Sequence, residues 1–371
     1  MEMMALSADN QAVSFVHGGN VHAWARERGS ELAGVLDYSA NINPLGLADS
    51  IREAVTKSVS QVIHYPDVQA VMLKAAISSY YQVDSEYITA GNGAVELLYV
   101  LTHTLRPKKV LIPAPAFSEY ERAARAAGAG IEYAYLSPEN NFAVDVSTLC
   151  SRLNGVDMVF IGNPNNPTGT LLTASQLEHL LAAASQAGII VVVDESFMDF
   201  IPGAWEYTCR PLLKQYDNLV ILHSLTKFYA IPGLRLGFAL TQPALAARLH
   251  AAKDPWNVNS LAQAAGVAAL ADKHYQDKSR AVIHAEKNIL FASLKALPGI
   301  NPYLPSVNYI LINIGQTGHS AARLCQTMAE RNILIRDCSN YPGLSPYYIR
   351  VAVRLNEQNK ILLQHLEQVL R

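Results

Sequence analysis

Lys227 stands in the run Ser224-Leu225-Thr226-Lys227, just past the apolar stretch 219–222, and Arg235 follows within Gly233-Leu234-Arg235-Leu236-Gly237. A lysine supplies the amine for a Schiff base with a carbonyl. Burial beside cations lowers its pKa, so that it can attack and later act as a base. Two flanking hydroxyls and a fixed guanidinium suit a phosphate, which assigns Ser224, Thr226 and Arg235 to phosphate binding. A phosphorylated aldehyde satisfies both halves of the pattern. Alone, Lys227 is indistinguishable from a surface lysine in a polar turn, so the reading depends on what accompanies it.

Asp194 closes the apolar run 189–193. A carboxylate at the end of a buried strand is costly without a cationic partner. A protonated pyridine nitrogen is such a partner, and the pair turns the ring into an electron sink. Asn163-Pro164-Asn165-Asn166-Pro167-Thr168-Gly169 follows the run 158–161. It is built of turn residues, and Asn166 can donate to a ring 3-oxygen. Gly91-Asn92-Gly93-Ala94 feeds a helical pattern at 94–105, which makes Gly93 and Ala94 an anion site at a helix N-terminus. A lysine, a ring-facing carboxylate, an amide donor and a phosphate cup together specify pyridoxal 5'-phosphate (PLP). Neither GxGxxG nor GxxxxGK[ST] occurs, so the main nucleotide-binding readings have no support.

These residues must sit at the ends of strands. The runs 110–112, 131–136, 158–161 and 189–193 are short and rich in Val and Ile, the pattern of buried strands. Helical patterns at 94–105, 118–127, 146–153 and 174–187 separate them, which means βαβ units and a mostly parallel sheet. Residues 219–222 and 234–240 add two strand candidates. Beyond about residue 255, helices are predicted at 260–271, 275–297, 321–331 and 357–370, with strands at 309–314, 333–335 and 348–353, the pattern of a smaller α+β domain. Residues 1–45 contain loops and no long element and must fold back on the rest, being too few to bury a core.

The bulk composition agrees with an enzyme of this size. Across 371 residues, 50% are hydrophobic and 16% charged, enough for a large core and too apolar for disorder. Lys plus Arg total 29 against 31 Asp plus Glu, a balance that gives no reason to expect nucleic acid or an anionic membrane as partner. Cys150, Cys209, Cys325 and Cys338 form no CxxC pair and no zinc spacing. No metal is expected, and a reducing, cytoplasmic setting is. The first residues lack the basic region of a signal peptide, and the longest apolar run is too short to span a bilayer.

Taken in order, the motifs NPNNPTG, VVVDES and SLTK and the Lys227-to-Arg235 spacing resemble the aspartate aminotransferase superfamily, the fold-type I PLP enzymes, from residue 17 to residue 354. The resemblance implies a large PLP domain with a mostly parallel seven-stranded sheet over residues 46–255, and a small domain made from 1–45 and 256–371. It also implies a homodimer with shared active sites. Phe117 matches the aromatic that stacks on the pyridine ring. Tyr65, in His64-Tyr65-Pro66-Asp67, matches the tyrosine that reaches the cofactor phosphate of the neighbouring subunit. Phe197 departs from the wider pattern, in which many members carry a tyrosine that bonds the 3-oxygen. Asn166 is then the main remaining partner of that oxygen.

Two subfamilies compete, the histidinol-phosphate aminotransferases and the L-threonine-O-3-phosphate decarboxylases of cobalamin synthesis. Three segments resemble the decarboxylases more: His17-Gly18-Gly19-Asn20, Ser39-Ala40-Asn41-Ile42-Asn43-Pro44, and 333–336 running on to Asn340-Tyr341-Pro342-Gly343-Leu344. The substrate implied is a small, dense anion. Arg336 and Arg350 can bind its phosphate or carboxylate in bidentate fashion. His17, the Gly18 amide and Asn41 can complete a phosphate cup, and Asn166 touches the substrate by the same resemblance. The residues themselves reach a PLP enzyme acting on a phosphorylated amine or amino acid, because the same catalytic set serves both reactions. Decarboxylation comes from the resemblance, whereas threonine phosphate and serine phosphate differ by one methyl group, worth only about 1–3 kcal/mol in a pocket, and no residue of the sequence is singled out to sense it.

Overall fold

A computed structural model describes residues 17–29 and 34–370. The N-terminal part contributes helix α1 (Val21–Arg28), strand β1 (Leu36–Asp37), and helices α2 (Asp49–Ser58) and α3 (Val71–Tyr81). The central part alternates strands β2 (Ile88–Gly91), β3 (Lys109–Ala114), β4 (Gly130–Tyr135), β5 (Met158–Gly162), β6 (Ile190–Asp194), β7 (Leu219–Ser224) and β8 (Gly237–Thr241) with helices α4 (Ala94–Leu105), α5 (Ser118–Ala126), α6 (Val146–Ser151), α7 (Ala174–Gln186), α8 (Leu225–Phe228) and α9 (Pro243–Ala252). The C-terminal part holds α10 (Ser260–Ala271), α11 (Lys273–Lys295), β9 (Asn301–Pro302), β10 (Tyr309–Asn313), α12 (Ala321–Ala329), β11 (Ile333–Leu334), β12 (Arg336–Asp337), β13 (Tyr348–Ala352) and α13 (Asn356–Leu370).

The seven central strands form one sheet in the order β2-β8-β7-β6-β5-β3-β4, in which only β8 runs antiparallel to its neighbours. Successive residues of β6 point to opposite faces. Val192 packs with Leu97, Leu101 and Ala123 under α4 and α5, while Val191 and Val193 pack with Leu177, Leu181 and Leu149 under α7 and α6. Both faces are buried, which is why these strands are nearly continuous apolar runs. The mostly parallel α/β sheet expected from the sequence is therefore present, and its strands agree with the predicted runs to within a few residues.

Some elements depart from the expectation. The strand predicted at 234–240 begins only at Gly237, because residues Pro232–Leu234 form a turn of 3-10 helix and Arg235 adopts φ 58°. The strand predicted at 333–335 is two short pieces. β11 pairs in parallel with β1, and β12 pairs antiparallel with β13. Ile335 marks the crossing between two sheets. Strand β2 and helices α2, α3 and α9 were not anticipated, and α1 adds a two-turn helix to a segment expected to be loop. Residues 1–16 and 30–33 of that segment lie outside the described residues; of the described part, Asn43 donates its amide to the Lys227 carbonyl (3.0 Å) and its side chain to the Phe228 carbonyl (2.7 Å).

Candidate active site

Parallel sheets bind ligands outside the carboxyl ends of their strands. Here Gly91 of β2, Gly162 of β5, Asp194 of β6 and Ser224 of β7 all end on one edge, and the antiparallel β8 starts there. A cavity of ≈ 420 Å³ opens over this edge. Of the residues singled out in the sequence, it is lined by His17, Gly18, Asn41, Ala94, Phe117, Asn166, Asp194, Ser224, Thr226, Lys227, Arg235, Arg336 and Arg350. Gly93 lies just behind Ala94. Tyr65 does not line the cavity: it is 77% exposed and stacks on Trp256 (4.5 Å between rings).

Local chemistry accounts for each position. Ser224 caps the short helix α8, accepting from the Thr226 amide, and its hydroxyl pairs with that of Thr226 at 2.7 Å. This turn carries Lys227 off the end of β7. The amine is lowered to about 8, first by burial and then by the Arg235 and Arg350 charges, with Asp37 opposing. At the neighbouring strand end Gly93 has φ +84°, and a Cβ built there would come within 2.5 Å of Arg235 Nη2. Glycine thus lets the guanidinium lie against the turn that opens α4. Arg235, the Ser224 and Thr226 hydroxyls and the α4 N-terminus converge as an anion cradle.

Asp194 is 8% exposed. One carboxylate oxygen accepts from the Ser196 amide at 2.9 Å and the other from the Tyr120 hydroxyl at 2.8 Å. Both donors are neutral, so the buried charge still wants a cation, as a protonated pyridine nitrogen would provide. Burial and the Asp194 charge hold the Tyr120 phenol well above its ordinary value, which keeps it a donor. Asn166 accepts from Arg350 Nη1, leaving the donor end of its amide for the cavity.

Arg336 and Arg350 are Cα partners across β12 and β13, so their side chains share a face, and each is 4% exposed. Arg336 bonds Asn340 at 2.9 Å and lies over Tyr341. Arg350 bonds the Ser39 carbonyl at 3.0 Å and lies over Tyr309, and its Nε is buried with no hydrogen-bond partner. Like charges directly opposite on a sheet are unfavourable. Two buried guanidiniums line one cavity, and their hydrogen bonds among the described residues go to neutral groups, an arrangement that suits an anion. Asn41, also buried, leaves its Oδ1 unpartnered. Its amide orientation is interchangeable, so it can present a donor there.

Glu119, Tyr120, Arg122, Ser39 and Tyr341 also line the cavity or brace it, and sequence reasoning did not select them as site residues. Glu119 reads in sequence as an acid in the first turn of a helix, and Tyr120 as a core aromatic. Only the strand end beside them reveals otherwise. Among the described residues, no group of three or more His, Cys, Asp or Glu side chains could hold a metal ion, and no helix is long and apolar enough to cross a membrane.

The sheet, the lysine and the buried carboxylate define a fold-type I PLP enzyme, and the donor set fits that cofactor at each of its functional groups. The chain belongs to the aminotransferase class I and II family, whose model matches residues 33–366. A threonine-phosphate decarboxylase of Salmonella typhimurium is 36% identical over 355 residues, covering 95% of this chain and 96% of that protein. The structure of L-threonine-O-3-phosphate decarboxylase from Porphyromonas gingivalis is similar at TM-score 0.80 and 27% identity, covering 91% of this chain and 99% of that one. The histidinol-phosphate aminotransferase of Clostridium acetobutylicum is similar at TM-score 0.85 and 32% identity, with the same coverage of 91% and 99%.

Proposed function

We propose that this protein decarboxylates L-threonine O-3-phosphate to (R)-1-amino-2-propanol O-2-phosphate and CO2, supplying the aminopropanol linker of cobalamin. The observation that carries the reading is the buried Arg336–Arg350 pair facing the Lys227 cavity with no carboxylate bonded to it among the described residues. Such a pair suits a substrate with two anionic groups on a short carbon chain.

When bound, the cofactor supplies an electron sink for negative charge developing at the substrate Cα. The protein does the rest by position. Ser224, Thr226, Arg235 and the Gly93-Ala94 turn would hold the cofactor phosphate. Phe117 would cover the ring, Asn166 would donate to its 3-oxygen, and Asp194 would keep the ring nitrogen protonated. His17, the Gly18 amide, Asn41, Arg336 and Arg350 hold the substrate anions. The anchors would select the reaction by the orientation in which they hold the substrate carboxylate. Lys227 Nζ, with its amine drawn to about 8, delivers the proton that replaces CO2 at Cα.

The same cavity supports a second reading, amino transfer from histidinol phosphate, favoured by the similarity to the Clostridium aminotransferase. One experiment separates the two. The PLP-loaded protein is incubated with L-threonine O-3-phosphate, L-serine O-phosphate and histidinol phosphate in parallel, and CO2 and amine product are measured. CO2 with stoichiometric aminopropanol phosphate supports the decarboxylase, and the serine arm tests how the methyl is read. No CO2, with the cofactor converted to its amine form by histidinol phosphate, overturns it.

The large domain of this reading spans 46–255 and the small one 1–45 with 256–371. A homodimer with shared sites is part of the same proposal. It is supported by exposed apolar residues flanking Tyr65, among them Val62, Ile63 and Met72, which place that tyrosine on an outer face. Four free cysteines support a reducing, cytoplasmic setting.

A further inference from the structure

A carboxylate is out of place in a cup built for anions, yet Glu119 lines this one and is 5% exposed. It is held from three sides: His17 Nε2 lies 2.8 Å from Oε1, Arg122 Nη1 lies 3.5 Å from the same oxygen, and the Tyr99 hydroxyl donates to Oε2 at 3.3 Å. Burial pushes the carboxyl upward, but the His17 and Arg122 partners outweigh it, so the group sits below its ordinary value. It is therefore ionised, and an ionised carboxylate only accepts. The hydrogen on His17 must be on Nε2.

A neutral imidazole with hydrogen on Nε2 presents a bare lone pair at Nδ1, which repels a phosphate oxygen. Only the ring with both nitrogens protonated donates in both directions. Among the described residues, the charged and titratable groups around it are Glu119 and Arg122 from α5 and, behind the carboxylate, Tyr99 from α4. Phe117 packs at 6.0 Å, tilted by 49°. The same bond also tethers the chain: His17 is fixed to α5, while Gly19 donates its amide to the Ser39 hydroxyl at 2.7 Å.

We propose that Glu119 is a positioning residue that seats His17 on the cavity and is the counter-charge allowing the ring to take up a proton and donate from Nδ1 to the substrate's phosphate. Binding of a phosphate dianion then carries proton uptake at His17. This rests on the phosphorylated-substrate reading above and adds to it the residue that sets the charge of the cup.

The test uses the PLP-loaded enzyme with inorganic phosphate as probe, titrated calorimetrically near pH 8 in two buffers of different ionisation enthalpy. Proton uptake is expected for the wild type and absent for Glu119→Gln and His17→Asn. With L-threonine O-3-phosphate, Glu119→Gln should raise KM about 10-fold with kcat within about 2-fold. Its KM should begin to climb at lower pH, and the double variant should be no worse than His17→Asn alone. Equal proton uptake in wild type and variants, or effects of the two substitutions that multiply, would overturn the proposal. Should Glu119→Gln fail to fold, retained proton uptake in His17→Asn overturns it equally. Absence of decarboxylation with intact phosphate-linked proton uptake strikes the reaction assignment and leaves this inference standing.

Discussion

Arg336→Met separates binding from stability, because the structure gives this side chain a small net effect on folding and a large one on anion binding. Arg336 faces Arg350 across the strand pair, with no acidic hydrogen-bond partner among the described residues. Removing it relieves a like-charge pair worth about 0.2–1 kcal/mol and forfeits one hydrogen bond to Asn340 worth about 1 kcal/mol. Met keeps much of the buried stem, so the net change in unfolding free energy should stay within about 1 kcal/mol. Substrate binding loses a buried, charge-assisted anchor, for which truncation costs about 2–5 kcal/mol. At about 1.4 kcal/mol per tenfold, kcat/KM should fall by roughly 30- to 4,000-fold. Urea unfolding of the holoenzyme measures the first quantity and initial rates of CO2 release the second. A loss of about 3 kcal/mol in stability with kcat/KM nearly intact would refute the anion-site argument and make Arg336 a structural residue. Arg350→Met is the comparison. It also breaks bonds to the Ser39 carbonyl and to Asn166, so it should lose both stability and kcat/KM.

Two further outcomes are expected at the cofactor. Lys227 reacts as the neutral amine, so the rate of PLP incorporation into cofactor-free protein should rise through about pH 8. Arg235→Gln removes a neighbouring cation, restores some preference for the charged amine, and should move that inflection upward. An inflection unmoved by the substitution would show that burial alone sets it, and Lys227→Ala should abolish both incorporation and turnover. Tyr120→Phe deletes one of the two donors to the Asp194 carboxylate, a hydrogen bond to a charged group worth about 1.5–3 kcal/mol. It should weaken PLP affinity about 10- to 100-fold and shift the visible absorption of the bound cofactor. Unchanged affinity and spectrum would mean that Tyr120 serves packing only.

Lys227, Asp194 and Asn166 were legible in the chain itself because their signals are local. Each follows a short apolar run that ends in polar or turn residues, and a parallel strand buried on both faces produces that pattern wherever it occurs. The glycine turn before α4 is equally local, since its positive φ and close approach leave no room for a side chain. Strand β2, Ile88-Thr89-Ala90-Gly91, carried no such signal: one β-branched apolar residue in four looks like a loop until β8 pairs with it. Residues 234–236 were misassigned to a strand for the opposite reason. Their apolar pattern suits a strand, but the left-handed backbone at Arg235 needed to reach Gly93 prevents it.

The charge pattern of the cup belongs to tertiary structure alone. His17 meets Glu119 across 102 positions of sequence, and Asn166 meets Arg350 across 184. Neither an acid in the first turn of a helix nor an arginine in a strand announces its partner, because helix and strand periodicities say which face a residue takes and nothing of what a distant segment brings to it. Arg336 and Arg350 could be nominated singly from their surroundings in the chain. That they stand opposite each other, both buried, depends on the register of β12 against β13, and that register brings the two guanidiniums to one face, as the proposed anion site requires.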